Sequence, residues 1–346
     1  MAYHSFLTVI LPALIAIAAT IVAIKFIMPY FYGAGIVAED RNKERIRKLP
    51  GSGGIAVAFG ITVGILAYTF GASFIFSPVI NVSAILATAL SILLIAAVGF
   101  IDDINVKTKR VQVTGMQGIN QGLKQWQKPV LTLAGALPLM AVNSGVTAID
   151  IPFLGTVNFG IWFPVIIIPL IVVFVANAYN LLGGFNGLEA SAGLVASIGL
   201  ALYSFFFGNA VGLFLSSVLA GSLIAFLLFN WYPARILPGD SFTYCVGGAL
   251  VAIIIMGHAE AFGLIIFIPW IMEFILHLRG KFKVTDLGIR QRDGTLAPPY
   301  GRSIYSLTHI AMNIKRATEK DVTYMMIGVE VLFVALAFVL KLHGIL

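Results

Sequence analysis

The chain has 346 residues, of which 59% are hydrophobic and only 11% are charged, and its formal net charge is +7. About a quarter of the residues in soluble domains are charged, so this composition excludes an ordinary soluble protein. The single cysteine, Cys245, excludes a disulfide within the chain and a CxxC metal or redox motif. In a protein this apolar, the basic excess is better explained by membrane topology and anionic ligands than by nucleic acid.

Long apolar runs follow one another along the chain. A bilayer-crossing helix needs roughly 20 mostly apolar residues, and these runs lack the alternating polarity of barrel strands. The first run is too long for a signal peptide and lacks a basic n-region and a small-residue cleavage site, so it is predicted to be a permanent helix. The sequence thus predicts an all-α, polytopic membrane protein with a single integral-membrane domain over residues 1–346. Ten spans are predicted, at residues 6–29, 53–70, 81–101, 129–143, 161–179, 187–206, 211–230, 243–257, 261–278 and 322–343.

The distribution of lysine and arginine predicts the orientation. Of the 22 basic residues, 20 lie in four of the predicted loops, and the alternate loops hold none. Because lysine and arginine collect in cytoplasmic loops, the bias favours an even number of spans with both termini outside the cytoplasm. Loop 180–186 has no basic residue, but successive loops alternate between the two sides of the membrane, and this alternation places it on the cytoplasmic side. The predicted active face is therefore formed by loops 30–52, 102–128, 180–186, 231–242 and 279–321.

Two adjacent aspartates end the third predicted span. Asp102 and Asp103 lie in the stretch GFIDDINVKTKR. Like charges repel and burial favours the neutral carboxyl, so such a pair suggests a metal, a lysine partner or an acid–base role. A solvated helix end followed by a turn is the alternative interpretation. The basic run 107–110 beside the pair is also compatible with a plain topology signal.

A second polar motif, NAYNLLGGFNGLEA, joins the fifth and sixth predicted spans. Asn177 and Asn180 are three residues apart and share a helix face. The Gly183-Gly184 pair ends that helix, and Asn186-Gly187 marks a turn before the next one. Amide oxygens at the first helix end could help hold a cation, and free backbone N–H groups at the second suit a nucleobase edge or an anion.

A metal ligand is also predicted before the eighth span, where Asp240 lies in the stretch NWYPARILPGDSF. Mg²⁺ needs six oxygen ligands and usually takes one or two carboxylates plus substrate phosphates. Asp240, the Asn180 carbonyl and a diphosphate would meet that demand. The alternative, in which the asparagines of the second motif are ordinary helix caps, explains one of them well and all three poorly.

The last cytoplasmic loop, 279–321, contains nine basic and four acidic residues. It could hold a polyanionic ligand or bind anionic lipid. Within it, Ile304, Leu307, Ala311 and Ile314 have helical spacing, which predicts an amphipathic helix lying on the cytoplasmic leaflet. The histidines of the chain are isolated in sequence, and no catalytic or zinc role is expected for them. This expectation covers His258, His277, His309 and His343.

The three polar motifs together resemble the signatures of the polyprenyl-phosphate N-acetylhexosamine-1-phosphate transferases, of the eukaryotic and archaeal type. The likeness runs from about residue 40 to residue 270, with the motifs in the same order. The ten-helix architecture of that family agrees with the independent count of spans. The resemblance implies that a UDP-amino sugar gives its sugar-1-phosphate, expected to be GlcNAc-1-phosphate, to a polyprenyl (dolichyl) phosphate and releases UMP. This is the first membrane step of lipid-linked glycan assembly.

The resemblance also implies roles for individual residues. Asp240 and Asn180 match the Mg²⁺ ligands, with Mn²⁺ as a substitute, and Asn186 matches the residue that reads uracil. Lys128, in WQKPVLTL, matches a lysine that contacts the diphosphate. Asp102 and Asp103 match the catalytic aspartate pair, with Asp102 our candidate for positioning or deprotonating the lipid phosphate. Further residues are expected at the nucleotide (Gly187, Glu189 and Leu237) and at the phosphates or sugar (Asn177, Lys48, Lys283, Arg290 and Arg292).

Two departures from the family pattern affect substrate recognition. Leu237 stands where the eukaryotic enzyme stacks a phenylalanine on uracil. The Arg-His-Arg stretch that recognises GlcNAc has no clear match, and RGKFKVTDLGIRQRDG offers only Lys283, Arg290 and Arg292 instead. The histidine-rich motif of the bacterial muramoyl-pentapeptide branch is missing as well. The same reaction with another donor, such as UDP-MurNAc-pentapeptide, is therefore an alternative.

A transporter of an anionic metabolite is the rival class of function. Ionisable groups of transporters lie near the membrane midplane at broken helices, whereas these lie at helix ends on one face. The chain also shows no repeated half, so the sequence favours an enzyme whose site faces the cytoplasm. The membrane would be the cell membrane in a prokaryote or the endoplasmic reticulum in a eukaryote. A homodimer is compatible with the sequence.

Overall fold

The computed structural model describes residues 6–104, 107–109, 119–143, 146–151 and 154–346. Helices make up most of this part of the chain, as the sequence predicts. Two short π-helical stretches, Phe6–Ile10 and Phe163–Ile167, lead into α1 and α5. The α-helices are α1 (Leu11–Gly33), α2 (Gly54–Phe74), α3 (Val82–Ile104), α4 (Gln127–Val142), α5 (Ile168–Tyr179), α6 (Leu188–Phe206), α7 (Ala210–Asn230), α8 (Gly239–Met256), α9 (Glu260–Ile266), α10 (Ile268–Arg279), α11 (Leu307–Ile314) and α12 (Glu319–Leu342).

Short strands pair into antiparallel hairpins between the helices. They are β1 (Val37–Asp40) with β2 (Arg47–Pro50), β3 (Lys107–Lys109) with β4 (Ile119–Gln121), β5 (Ala148–Ile151) with β6 (Gly155–Asn158), and β7 (Ile289–Arg290) with β8 (Leu296–Ala297). The register of the first hairpin places Asp40 opposite Arg47 and Glu39 opposite Lys48. This hairpin matters because Asp40 reaches the site described below.

Seven helices of the described residues are long and apolar enough to cross a membrane, counting α1 with the π-helical turn before it. An eighth crossing results if α9 and α10, which bend by 54°, form one broken span. The helix α4 and the segment Phe163–Tyr179 are apolar but shorter. Every predicted span therefore coincides with a helix or helix pair, while length and composition support seven or eight crossings rather than all ten.

The helix that carries Asp240 lies at the centre of the fold. Within α8, residues 241–255 are all buried, whereas α1 and α12 turn large parts of their surface outward. Small residues allow this close packing, since a side chain at Gly99 would overlap the backbone carbonyl of Asp240 and one at Gly248 would press on Ile95. Close helix contact through small residues is the usual packing of membrane helices, where little hydrophobic driving force acts between them.

The predicted interfacial helix forms but packs against the protein. In α11, Leu307, Ala311 and Met312 are buried, and only Ile314, 68% exposed, projects its apolar side chain outward. Ser306 caps its first turn by accepting a hydrogen bond from the Thr308 N–H at 3.2 Å. The apolar spacing at Leu307 and Ala311 thus reflects contact with the rest of the chain, and the prediction that these two residues face the leaflet is wrong.

Candidate active site

One aspartate of the Asp-Asp pair fixes the start of α8. The Asp103 carboxylate accepts hydrogen bonds from the backbone N–H of Asp240, at 2.7 Å, and of Ser241, at 3.0 Å. The first N–H groups of a helix have no partner within it, and the helix dipole favours a negative charge there. Asp103 therefore holds Asp240 in place across the interface between α3 and α8, and its predicted catalytic role stays a prediction.

The other aspartate of the pair shares a lysine with Asp240. The Lys128 ammonium lies 2.5 Å from Asp102 Oδ2 and 2.7 Å from Asp240 Oδ2. Asp102 is buried and also accepts a hydrogen bond from the Leu123 N–H. Of the three interpretations of the aspartate pair, the lysine partner is the one visible here. Helices α3, α4 and α8, which are distant in sequence, thus bring two carboxylates and one cation together.

The amide of Asn180 completes this cluster. Its Nδ2 donates to Asp240 Oδ2 at 3.2 Å, and its Oδ1 accepts from the Thr243 hydroxyl at 2.5 Å. A hydroxyl can donate or accept, so turning the amide by half a turn keeps the bond to Thr243 and presents Oδ1 beside Asp240. Carboxylate and amide oxygens are the ligands that Mg²⁺ takes in proteins, so Asp240 and Asn180 fit the predicted metal.

Asn177 lies on the same face of α5 as Asn180 but has other partners. Its Nδ2 donates to the Thr132 hydroxyl at 3.1 Å, and its Oδ1 accepts from the Tyr244 hydroxyl at 2.8 Å. These bonds connect α5 to α4 and α8. They satisfy the amide within the protein, so its predicted contact with phosphate or sugar stays a prediction.

A cavity of about 370 Å³ opens beside Asp240. This size lies in the usual range of small-molecule sites. Predicted site residues in its wall are Asn180, Asn186, Glu189, Leu237 and Asp240, whereas Asp102, Asp103 and Lys128 are outside the lining. The wall is built from segments 38–41, 183–186, 237–240 and 284–287, with Asn180, Glu189, Asn230 and Thr243.

Asn186 is buried at this wall and held by three parts of the chain. Its Nδ2 donates to Asp40 Oδ1 and its Oδ1 accepts from the Ala234 N–H, each at 3.0 Å. Its own N–H donates to Glu319 Oε1 at 3.0 Å. Lys43 pairs with both acids, at 3.0 Å from Asp40 and in close contact with Glu319. A uracil that bound this amide would have to replace one of its present partners, so base reading by Asn186 stays a prediction.

The neighbouring residues of the motif shape the turn before α6. Gly187 has a φ of +80°, and a side chain there would press on the ring of Trp231, so both conformation and space require glycine. Its N–H donates to Asn230 Oδ1 at 3.1 Å. Glu189, also buried, accepts the Gly184 N–H at 2.8 Å. Both residues order the loop, and their predicted contacts with the nucleotide stay predictions.

Comparison with known proteins identifies the family. A family model described as glycosyl transferase family 4 matches residues 84–258, about half of the chain. The chain belongs to glycosyl transferase family 4. It is 32% identical over 343 residues to a protein of Sulfolobus acidocaldarius and 33% identical over 338 residues to one of Saccharolobus solfataricus, in each case covering 97% of both chains. Both carry the provisional name UDP-N-acetylglucosamine–dolichyl-phosphate N-acetylglucosaminephosphotransferase.

More distant relatives match a smaller part of this chain. A phospho-N-acetylmuramoyl-pentapeptide-transferase of Clostridium perfringens is 33% identical over 182 residues, which is 51% of this chain and 54% of that one. The resemblance stated from the three motifs is therefore confirmed, and the chain is a membrane-bound glycosyl-1-phosphate transferase by family.

Four basic residues predicted to contact phosphate or sugar lie away from the cavity of this family 4 enzyme. They are Lys48, Lys283, Arg290 and Arg292, all exposed and absent from the lining. Arg290 donates to the Gly294 carbonyl at 3.4 Å within the β7–β8 hairpin. Their roles at the phosphates or the sugar stay predictions.

Sequence reasoning placed loops 30–52 and 279–321 in the active face, but it named no residue of segments 38–41 and 284–287, which form two walls of the cavity. The carboxylate of Asp286 accepts a bond from His277 at 2.7 Å, and burial raises its pKa to about 6, an effect that this bond opposes. The Asp286 carbonyl accepts a hydrogen bond from the Thr308 hydroxyl at 2.7 Å. The Thr285 carbonyl is hydrogen-bonded to His309 Nε2 at 2.9 Å. Burial lowers the pKa of His309. In the sequence, the only signal for these contacts behind the 284–287 wall is the spacing of Glu273 and His277, which are four residues apart.

Proposed function

We propose that this enzyme transfers N-acetylhexosamine-1-phosphate, with GlcNAc-1-phosphate as the expected group, from a UDP-sugar to a polyprenyl phosphate of the dolichyl type. UMP is the second product. The relatives from Sulfolobus acidocaldarius and Saccharolobus solfataricus support this substrate pair by their names and near-complete coverage. The reaction would be the first membrane step in assembling a lipid-linked glycan.

The observation that carries the proposal is the lysine shared by Asp102 and Asp240 beside the cavity. Its ammonium touches both carboxylates within 2.7 Å. A cation already held at this point can turn to a diphosphate that enters the cavity, while the two carboxylates exchange it for other partners. Positive charge that is fixed before the reaction stabilises the charge that develops on a transferring phosphoryl group.

Asp240 and the Asn180 amide oxygen would hold Mg²⁺, which Mn²⁺ could replace, together with oxygens of the donor diphosphate. When bound, the ion supplies positive charge that polarises the phosphoryl oxygens. The Asp103 contacts with the N–H groups of residues 240 and 241 support this assignment, because they fix the carboxylate of Asp240 at the helix end.

The chemistry assigned to the chain's residues is positioning and charge stabilisation. An oxygen of the lipid phosphate attacks the β-phosphorus of the donor, and the bond from that phosphorus to the oxygen bridging to the α-phosphorus breaks. Lys128 neutralises charge on the diphosphate as UMP leaves. Asp102, which lies within reach of Lys128, holds the lipid phosphate in line or takes its proton. Asn186 and Leu237 would contact the uridine.

The proposal includes a topology in which all ten apolar segments cross the membrane and both termini lie outside the cytoplasm. The two short segments would cross with the help of the helices packed around them, and the bent pair would count as one span. The placement of basic residues supports this orientation. It puts the cavity on the cytoplasmic side, where a water-soluble UDP-sugar can meet a lipid phosphate.

The proposal is tested by incubating purified protein with dolichyl phosphate, Mg²⁺ and either UDP-GlcNAc or UDP-MurNAc-pentapeptide. The lipid product is identified by mass spectrometry and the nucleotide by chromatography. We expect GlcNAc-diphospho-lipid and an equal amount of UMP from the first donor, and little product from the second. A protein that makes neither lipid product, while the same preparation is folded, would contradict the proposal.

A further inference from the structure

A cluster of three ionisable side chains lies at the 284–287 wall of the cavity, and one of them, Asp286, belongs to that wall. His277 Nε2 is 2.7 Å from Asp286 Oδ1 and 3.1 Å from Glu273 Oε1. Glu273 and His277 are four residues apart in α10 and share one helix face. One donor atom from each of the three residues lies within 4.8 Å of the others. A single small ion between them would contact all three.

One oxygen of the Glu273 carboxylate has no hydrogen-bond donor among the described residues. Its Oε2 accepts the Leu307 N–H at 2.8 Å, which fixes the side chain. Its Oε1 is fully buried, faces His277 and accepts no hydrogen bond from the described residues. Glu273 is 0% exposed, so this oxygen is shielded from bulk solvent. A buried carboxylate oxygen without a donor is costly, and it points to a cation as the missing partner.

Charge balance supports the same conclusion. Among the described residues no lysine or arginine pairs with Glu273 or Asp286, whose only ion-pair partner is His277. Two carboxylates with a protonated imidazole carry a net charge of −1 in a buried place. Two carboxylates with a neutral imidazole and a divalent cation carry none. Buried charge is tolerated when it is balanced.

We propose that Glu273, His277 and Asp286 form a structural Zn²⁺ site that anchors the 284–287 wall of the cavity to α10. One imidazole nitrogen and two carboxylate oxygens are ligands that zinc takes in proteins, and a fourth position would fall to water or the second Asp286 oxygen. Tetrahedral bonds of about 2.1 Å place ligand atoms about 3.4 Å apart, so the two distances from His277 Nε2, now 2.7 and 3.1 Å, would each lengthen by less than about 1 Å. This proposal departs from the expectation that His277 has no role in zinc binding.

Neighbouring groups hold the proposed zinc ligands in position before any ion binds. The Leu307 N–H orients Glu273, and the Thr308 hydroxyl holds the Asp286 carbonyl at 2.7 Å. His309, outside the ligand set, pairs with the Thr285 carbonyl at 2.9 Å. The wall therefore meets α11 through its backbone and α10 through the ion. The inference does not depend on the proposed function, because zinc binding is measured without substrate.

The test uses the full-length protein in detergent, purified without a polyhistidine tag, loaded with Zn²⁺ and dialysed against metal-free buffer. Zinc per chain is measured by plasma mass spectrometry, and affinity by competition with a chromophoric chelator. We expect about one zinc per chain, and a loss of affinity of about tenfold or more in each of Glu273→Gln, His277→Gln and Asp286→Asn, as for other changes around metal ligands. Glu273→Gln keeps an acceptor for the Leu307 N–H, so it should remain folded.

Two control variants separate this site from others. Asp240→Asn, at the proposed magnesium site, and Asp293→Asn, an exposed acid in the same loop, should both keep the zinc. Wild-type protein that retains no zinc after dialysis would overturn the proposal and leave an imidazolium between two carboxylates. Zinc that is lost in Asp240→Asn, or kept in all three ligand variants, would overturn it equally.

Discussion

Replacing Lys128 with methionine should destabilise the unliganded enzyme, because it leaves two neighbouring carboxylates without their shared cation. The ammonium touches Asp102 Oδ2 at 2.5 Å and Asp240 Oδ2 at 2.7 Å. The two oxygens are therefore at most about 5 Å apart, where like charges repel by roughly 3 kcal/mol at an effective dielectric of about 20. The Asp240 side chain is 29% exposed, so solvation by water and uptake of a proton will reduce the repulsion between the two carboxylates. We expect a net loss of about 1–3 kcal/mol.

The assay is thermal unfolding in detergent, followed by intrinsic fluorescence, in the presence of a chelator and again with Mg²⁺. Lys124→Met is the matched control, because Lys124 is exposed and forms no ion pair among the described residues. Lys128→Met should melt lower than wild type in chelator and gain more from Mg²⁺, since a divalent cation can replace the lost ammonium. Adding Asp102→Asn should recover part of the loss, because it removes one of the two repelling charges. Equal melting of Lys128→Met and Lys124→Met would refute the reasoning.

Four other changes test the metal site, its helix cap, its packing and its orientation. Asp240→Ala should abolish turnover and Mg²⁺ binding with the fold intact, as measured by activity and metal titration, and full Mg²⁺-dependent turnover would remove Asp240 from the site. Asp103→Ala should lower stability by about 1 kcal/mol through the lost helix cap, and reduce activity by displacing Asp240; unchanged melting would argue against the cap. Gly99→Val should cost about 1–3 kcal/mol by overpacking against the α8 backbone, seen in the same melting assay. A cysteine in loop 279–321, in a protein without Cys245, should react with impermeant reagents only from the cytoplasm, and labelling of intact cells would invert the topology.

The sequence predicts structure best where a pattern is compatible with a single kind of element. Apolar length alone locates a helix or helix pair for every predicted span, because few other structures accommodate such runs. The sequence also predicts that Asp240 and Asn180 lie together, and their side chains are hydrogen-bonded at 3.2 Å. The cation they are predicted to share stays a prediction. The start of α8 is predicted four residues late, because the cap comes from Asp103, a residue of another helix.

The parts that the sequence does not reveal depend on contacts distant in sequence. Asp40 reaches Asn186 from a hairpin 146 residues earlier, and no local pattern marks it as part of the cavity. The region of the cavity wall at 284–287 is predicted only through the basic residues around it, because charge is visible in a sequence and backbone packing is not. His277 looks isolated for the same reason, since its partner Asp286 comes from a loop that folds back on the helix.

The most direct test of the central claim is to follow the β-phosphorus of the donor. A phosphoglycosyl transferase and an ordinary glycosyltransferase use the same UDP-sugar but break different bonds. In the proposed mechanism, Lys128, Asp102 and Asp240 act on a diphosphate. With UDP-GlcNAc labelled at the β-phosphorus, we predict that the label moves into the lipid product and that unlabelled UMP is released. Release of labelled UDP, with an unlabelled sugar on the lipid, would contradict the account.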